Sequence, residues 1–183
     1  MVAKSQSSGP DVDPHTFHRA MNRLPTSSAV VSGLVGGRPI GMLVATLMPV
    51  SATPPVVAYC ADPEDPATAS LSTCAATSLS VLPHFALATY KRFTLPIDDR
   101  FRGGDWHEST WGTPVLDAAV TVLQLSALQQ VPAGDHVVVL CTVREVTICA
   151  PTEAPLTLFD GRVTRLEAGE LAPSGRWRPH FSG

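Results

Sequence analysis

Apolar residues along the chain fall in short runs broken by Gly and Pro, most of them too brief for a buried helix. Ala29 to Leu34 is one such run, Pro39 to Leu47 a second and Val56 to Cys60 a third, with Gly36-Gly37 placed as a hairpin turn between the first two. Val50 closes the second strand region, so three strands follow one another with no helix between them. Leu79 to Leu82 reads as another strand and Val115 to Leu128 as a longer one of alternating character. Pro132 to Asp135 reads as a turn, and His136 to Val146 as a β-branched strand. Leu156 to Phe159, Asp160-Gly161 and Arg162 to Leu166 spell a last hairpin.

Helical spacing is confined to three short places. Asp13 is placed as N-cap and Pro14 as first helical residue of a helix with Phe17, Met21 and Leu24 on one face, ended by Pro25. Pro66 opens a helix through Leu71, and His84 to Phe93 forms another. The pattern predicts a mainly β protein, an antiparallel barrel closed or nearly closed with a few short helices; a β-sandwich is the alternative. A length of 183 residues fits one domain over 14–166, between a flexible tail over 1–13 and a loose, Gly/Pro-rich tail over 167–183.

Composition narrows the function classes. Hydrophobic residues make up 44% of the chain and charged residues 16%, which suits a buried core. A net charge of −3 leaves no basic stripe for a phosphate backbone, so nucleic acid is excluded as a partner. The uncharged stretch Ile40 to Ala61 is interrupted by Pro49, Pro54 and Pro55 and reads as buried strands rather than a membrane helix. Cys60, Cys74, Cys141 and Cys149 form no CxxC pair and have no His at metal-ligand spacing, so the thiols read as free and buried and no metal site is expected. The polar segment Met1 to Pro14 lacks the apolar run of a signal peptide, which predicts a cytoplasmic, reduced protein.

Candidate chemistry is sparse. No GxSxG motif or triad spacing supports a hydrolase. The irregular segment Thr94 to Pro114 is long enough to be functional and carries Arg100, Trp106, His107 and Trp111. His84, His107 and His136 are the candidate acid–base groups.

Taken in order, several words resemble the flavin reductase-like family. They are Phe17-His18-Arg19-Ala20-Met21, Gly36-Gly37-Arg38-Pro39-Ile40-Gly41-Met42, Asp99-Arg100-Phe101, Gly112-Thr113-Pro114-Val115, Ala133-Gly134-Asp135-His136 and Leu156 to Phe159, and they are collinear over 15–166. The resemblance implies a split β-barrel, commonly a homodimer, that binds FMN or FAD and passes hydride to it from NAD(P)H. It also implies a partner monooxygenase fed by diffusing reduced flavin, in specialised metabolism. By residue, it places Leu43, Ala45, Thr46 and Ser51 along the flavin, Thr68 and Arg100 on the cofactor, and His136 as the catalytic residue near flavin and nicotinamide.

The residues also depart from the family. Where members keep a row of hydroxyls and an amide, this chain reads Leu43 to Ser51 with hydroxyls only at Thr46 and Ser51. Where members offer Arg or Lys to the flavin phosphate, it offers Asp62-Pro63-Glu64-Asp65-Pro66. Two readings follow: a reductase that grips flavin weakly, as suits a flavin that must leave, or a barrel without cofactor that acts as a cyclase or isomerase on a hydrophobic secondary metabolite. A non-catalytic ligand-binding barrel is a third.

Overall fold

The structure is a computed structural model and describes residues 12–166. The terminal stretches 1–11 and 167–183, read above as tails, lie outside the described residues. Helix α1 (Pro14–Met21) opens where the Asp13 carboxylate accepts from the Thr16 amide at 2.9 Å, with Pro14 in its first turn. Then come β1 (Thr26–Ser27), β2 (Ala29–Val35), β3 (Arg38–Val44), β4 (Leu47–Ala52), β5 (Pro55–Ala61), α2 (Pro66–Leu71), β6 (Thr77–Val81) and α3 (Leu87–Arg92). After a 3-10 turn (Ile97–Asp99) the chain continues through β7 (Trp106–Glu108), β8 (Pro114–Leu116), β9 (Thr121–Ala133), β10 (His136–Ile148), β11 (Thr157–Phe159) and β12 (Arg162–Thr164).

Seven strands form one antiparallel sheet in the order β3-β2-β6-β9-β10-β5-β4, with a three-stranded sheet β1-β11-β12 and a two-stranded sheet β7-β8 beside it. Strand β3 comes back against β5, so the large sheet rolls into a barrel split between its edge strands β3 and β4. One inward residue from each of six strands, Val31, Met42, Tyr59, Leu79, Leu125 and Val139, meets in a single buried cluster. Residues of opposite parity face outward: Val30 joins Leu82, Phe93, Leu116 and Leu156 in a second cluster. There Phe93, Phe101 and Trp106 meet edge to face at 5.1 and 5.8 Å, contacts worth about 0.5–1.5 kcal/mol each beyond their burial.

The architecture is mainly β and antiparallel with three short α-helices, and several boundaries differ from the pattern-based ones. The run Pro39 to Leu47 divides at Ala45-Thr46, and β4 continues past Val50 to Ala52. Likewise Val115 to Leu128 divides into β8 and β9, which pair with different partners. Periodicity reports which side chains alternate and is blind to a change of ladder partner. Strand β9 runs on through Pro132, opposite Val137, so the turn shrinks to Gly134-Asp135. Helix α3 starts at Leu87 rather than His84. Gly36 and Gly37 have φ of 59° and 76°, the left-handed geometry that a two-residue hairpin turn between twisted strands requires.

Candidate functional site

At the split, the chain passes from one edge of the large sheet to the other in two residues. The β2/β3 ladder ends at the pair Ala29 and Val44, and the β4/β5 ladder starts at Leu47 and Tyr59. Ala45 and Thr46 therefore belong to neither register. The Thr46 hydroxyl accepts from the Cys60 amide at 3.1 Å and retains its own proton to donate. Beside this seam opens a cleft of about 640 Å³, walled by Leu43, Val44, Ala45 and Thr46 from the seam, Cys60 and Asp62 at the end of β5, and Asp135 and His136 at the β9–β10 turn. Pro14, Phe17 and His18 of α1 complete it.

The structure thus brings together four of the sequence-predicted residues, Leu43, Ala45, Thr46 and His136, from segments about ninety residues apart in the chain. His136 Nδ1 lies 2.8 Å from the Asp135 carboxylate. That hydrogen bond holds the Asp135 carboxyl below the usual carboxylate range. The pair is exposed, so the contact orients the imidazole more than it stabilises the fold.

The remaining predicted residues lie elsewhere. Ser51 sits on β4 opposite Val56, just past a bulge at Pro49/Ser51. Thr68 donates its hydroxyl to the Asp62 carbonyl at 2.6 Å and lines a small internal cavity of about 20 Å³, roughly one water in size, with Cys74 and Cys141. Arg100 is buried and not among the cleft residues. Its Nη1 reaches the Asp65 carboxylate at 2.9 Å and the Gly41 carbonyl at 2.9 Å, and its Nε donates to the Leu95 carbonyl at 3.0 Å. The guanidinium is spent within the chain, because a buried cation is tolerable only when paired and hydrogen-bonded.

The long loop is anchored in the same way. Arg92 forks onto Asp105 at 2.6 Å and onto the Arg100 carbonyl at 2.9 Å, and Trp111 Nε1 donates to Glu145 at 2.7 Å. His107 pairs with Asp117 at 2.6 Å on the surface, and His84 lies 3.4 Å from Glu153; neither lines the cleft. The thiols are free, yet only Cys141 is fully buried; Cys60 is half-buried at the cleft and Cys149 is exposed. Burial pushes the Cys141 thiol up to about 11 and raises the neighbouring Tyr59 phenol.

Sequence reasoning missed α1 as a wall of the cleft. The signal was present, since Pro14, Phe17 and His18 stand at i, i+3 and i+4 and share one helix face. Among the described residues there is no group of three or more His, Cys, Asp or Glu that could hold a metal, and no helix is long and apolar enough to cross a membrane.

The cleft suits an aromatic, multi-ring ligand with polar edges. Leu43 and Phe17 offer apolar contact, while the peptide groups of Ala45 and Thr46, outside both ladders, and the His136 imidazole offer hydrogen-bonding partners. The family model described as flavin reductase like domain matches residues 21–167. An actinorhodin polyketide dimerase from Streptomyces coelicolor is 30% identical, covering 93% of this chain and 98% of its own. The reductase subunit of a flavin-dependent monooxygenase from Rhodococcus jostii is 26% identical, over 91% and 85%. Among solved structures, the NADH:FAD oxidoreductase of Streptomyces globisporus in complex with NAD and FAD fragments superposes with a TM-score of 0.78 at 26% identity, over 90% and 98%.

Proposed function

The chain belongs to the flavin reductase like domain family, and on that premise we propose that it transfers hydride from NAD(P)H to FMN or FAD seated at the seam between β3 and β4. The observation that carries this reading is the convergence of Leu43, Ala45, Thr46 and His136 on one cleft. When bound, the flavin supplies the electron-accepting ring, and this chain's own residues supply position. Leu43 and Phe17 would give the bound group apolar contact, the Ala45 and Thr46 peptide groups would hydrogen-bond it, and His136, oriented by Asp135, would hold a proton for the transfer. No Lys or Arg lines the cleft among the described residues, which supports a weakly held flavin that leaves after reduction.

The reduced flavin then feeds a monooxygenase, as the Rhodococcus relative's name supports, within specialised metabolism. The chain works as a homodimer, and Leu128, Ile148 and Met48, each more than half exposed, are apolar side chains that a partner could cover. A cytoplasmic location fits four free thiols. A second reading, a cofactor-free barrel acting on a hydrophobic metabolite, is favoured by the apolar wall and by the polyketide dimerase relative.

Anaerobic mixing of the purified protein with NADH or NADPH and added FMN or FAD tests the choice. Loss of absorbance at about 340 nm with bleaching near 450 nm supports the reductase. Saturating flavin that neither binds nor is reduced overturns it.

A further inference from the structure

Four ionisable side chains of acid–base character line the seam cleft: His18, Asp62, Asp135 and His136. Arg19 of α1 and Arg23 just beyond it do not, since both line a separate groove with Asp160. Arg100 is consumed by Asp65, and Asp65 also caps α2 by accepting from the Ala67 amide at 2.9 Å. Among the described residues, the fixed charges facing the cleft are therefore two carboxylates. Asp62 is held rigidly: its Oδ1 accepts from the Glu64 amide at 2.8 Å, while its carbonyl accepts from the Thr68 hydroxyl at 2.6 Å and the Asp65 amide at 3.2 Å.

Flavins share one ring and differ in the tail. Riboflavin ends in a neutral hydroxyl, FMN in a phosphate and FAD in a pyrophosphate diester. A doubly charged tail in a cleft that, among the described residues, holds two carboxylates and no Lys or Arg meets repulsion of about fivefold in binding from each carboxylate at low ionic strength, and salt screens it. We infer that Asp62 is a specificity-determining residue that makes the seam cleft select the flavin ring and discriminate against the tail phosphate, so that neutral, unphosphorylated flavin is its best flavin substrate. The inference rests on the flavin reading above and adds the class of flavin and the residue that sets it.

The test compares riboflavin, FMN and FAD with the full chain, as kcat/KM with NADH and as Kd from quenching of flavin fluorescence, at low and high salt. Riboflavin is expected to match or exceed FMN at low salt, and added salt should improve FMN while leaving riboflavin unchanged. Asp62→Asn keeps the Oδ1 acceptor and removes the charge; it should raise the FMN-to-riboflavin ratio about fivefold. Glu64→Gln removes an equal charge two residues away, outside the cleft, and should move the ratio less. Because the readout is a ratio within one preparation, partial loss of folded protein cancels. A tenfold preference for FMN in the unaltered protein, or an Asp62→Asn ratio equal to that of Glu64→Gln, overturns the inference. A chain that binds the three flavins but reduces none sinks the reductase reading and leaves the ratio readable from Kd; a chain that binds none overturns both.

Discussion

Asp65 and Arg100, thirty-five residues apart in sequence, meet at 2.9 Å where the N-terminus of α2, strand β3 and the 3-10 turn converge. The arginine side chain is 8% exposed and the aspartate 23%, so the pair lies largely out of solvent. Removing one partner leaves the other's charge stranded. Arg100→Ala should destabilise the fold by about 3 kcal/mol, read as a lower urea midpoint. An exchange costing under about 0.5 kcal/mol would show that the contact is not made in solution.

His136 and its neighbour Asp135 provide a second test, aimed at chemistry rather than folding. His136→Asn should reduce NADH-dependent flavin turnover by about a hundredfold, the lower end of the range for a positioned proton donor, with flavin Kd changed less than about threefold. Unchanged turnover would remove the imidazole from the reaction.

Close approach makes Gly41 a third test. A Cβ at this position would stand 3.0 Å from both the Phe101 ring and the Val31 carbonyl oxygen. The ring is fixed in the outer cluster and the carbonyl belongs to the neighbouring strand, so neither yields cheaply. Gly41→Ala should cost about 1–3 kcal/mol and lower Tm by several degrees. A melting curve that overlays the parent's would contradict the packing described.

Alkaline pH offers a fourth. Burial raises the Cys141 thiol from its ordinary 9.0 to about 11 and moves the Tyr59 phenol in the same direction. The folded chain thus holds these protons more tightly than the unfolded one. Their contribution to stability is complete below about pH 9 and declines as pH rises towards 11. The urea midpoint should fall between pH 8.5 and about 11, and less steeply in Cys141→Ala. Labelling with a thiol reagent should modify exposed Cys149 in the native protein and Cys141 only after unfolding.

Much of this was legible in the chain. Apolar runs at Ala29, Pro39, Val56, Leu79 and His136 located most barrel strands, because a strand with one buried face writes its period into the sequence. Asp13 and Pro14 marked the start of α1 because capping is a local interaction. What stayed hidden depends on partners distant in sequence. Nothing near Arg100 announces that Asp65 will neutralise it, so a cation suited to a cofactor turned out to be a staple. The break at Ala45-Thr46 was invisible for a related reason: both flanking segments are apolar, and only strand pairing tells them apart.

That break has a mechanical side. Strands β3 and β4 stand at opposite ends of the seven-strand order yet are joined by two residues, so neither margin of the barrel can move without pulling on the other. A ligand bound to those two peptides fastens both margins in one act, like a clasp sewn through both lips of a purse. Its arrival would register as slowed amide exchange on two strands that share no hydrogen bond with each other.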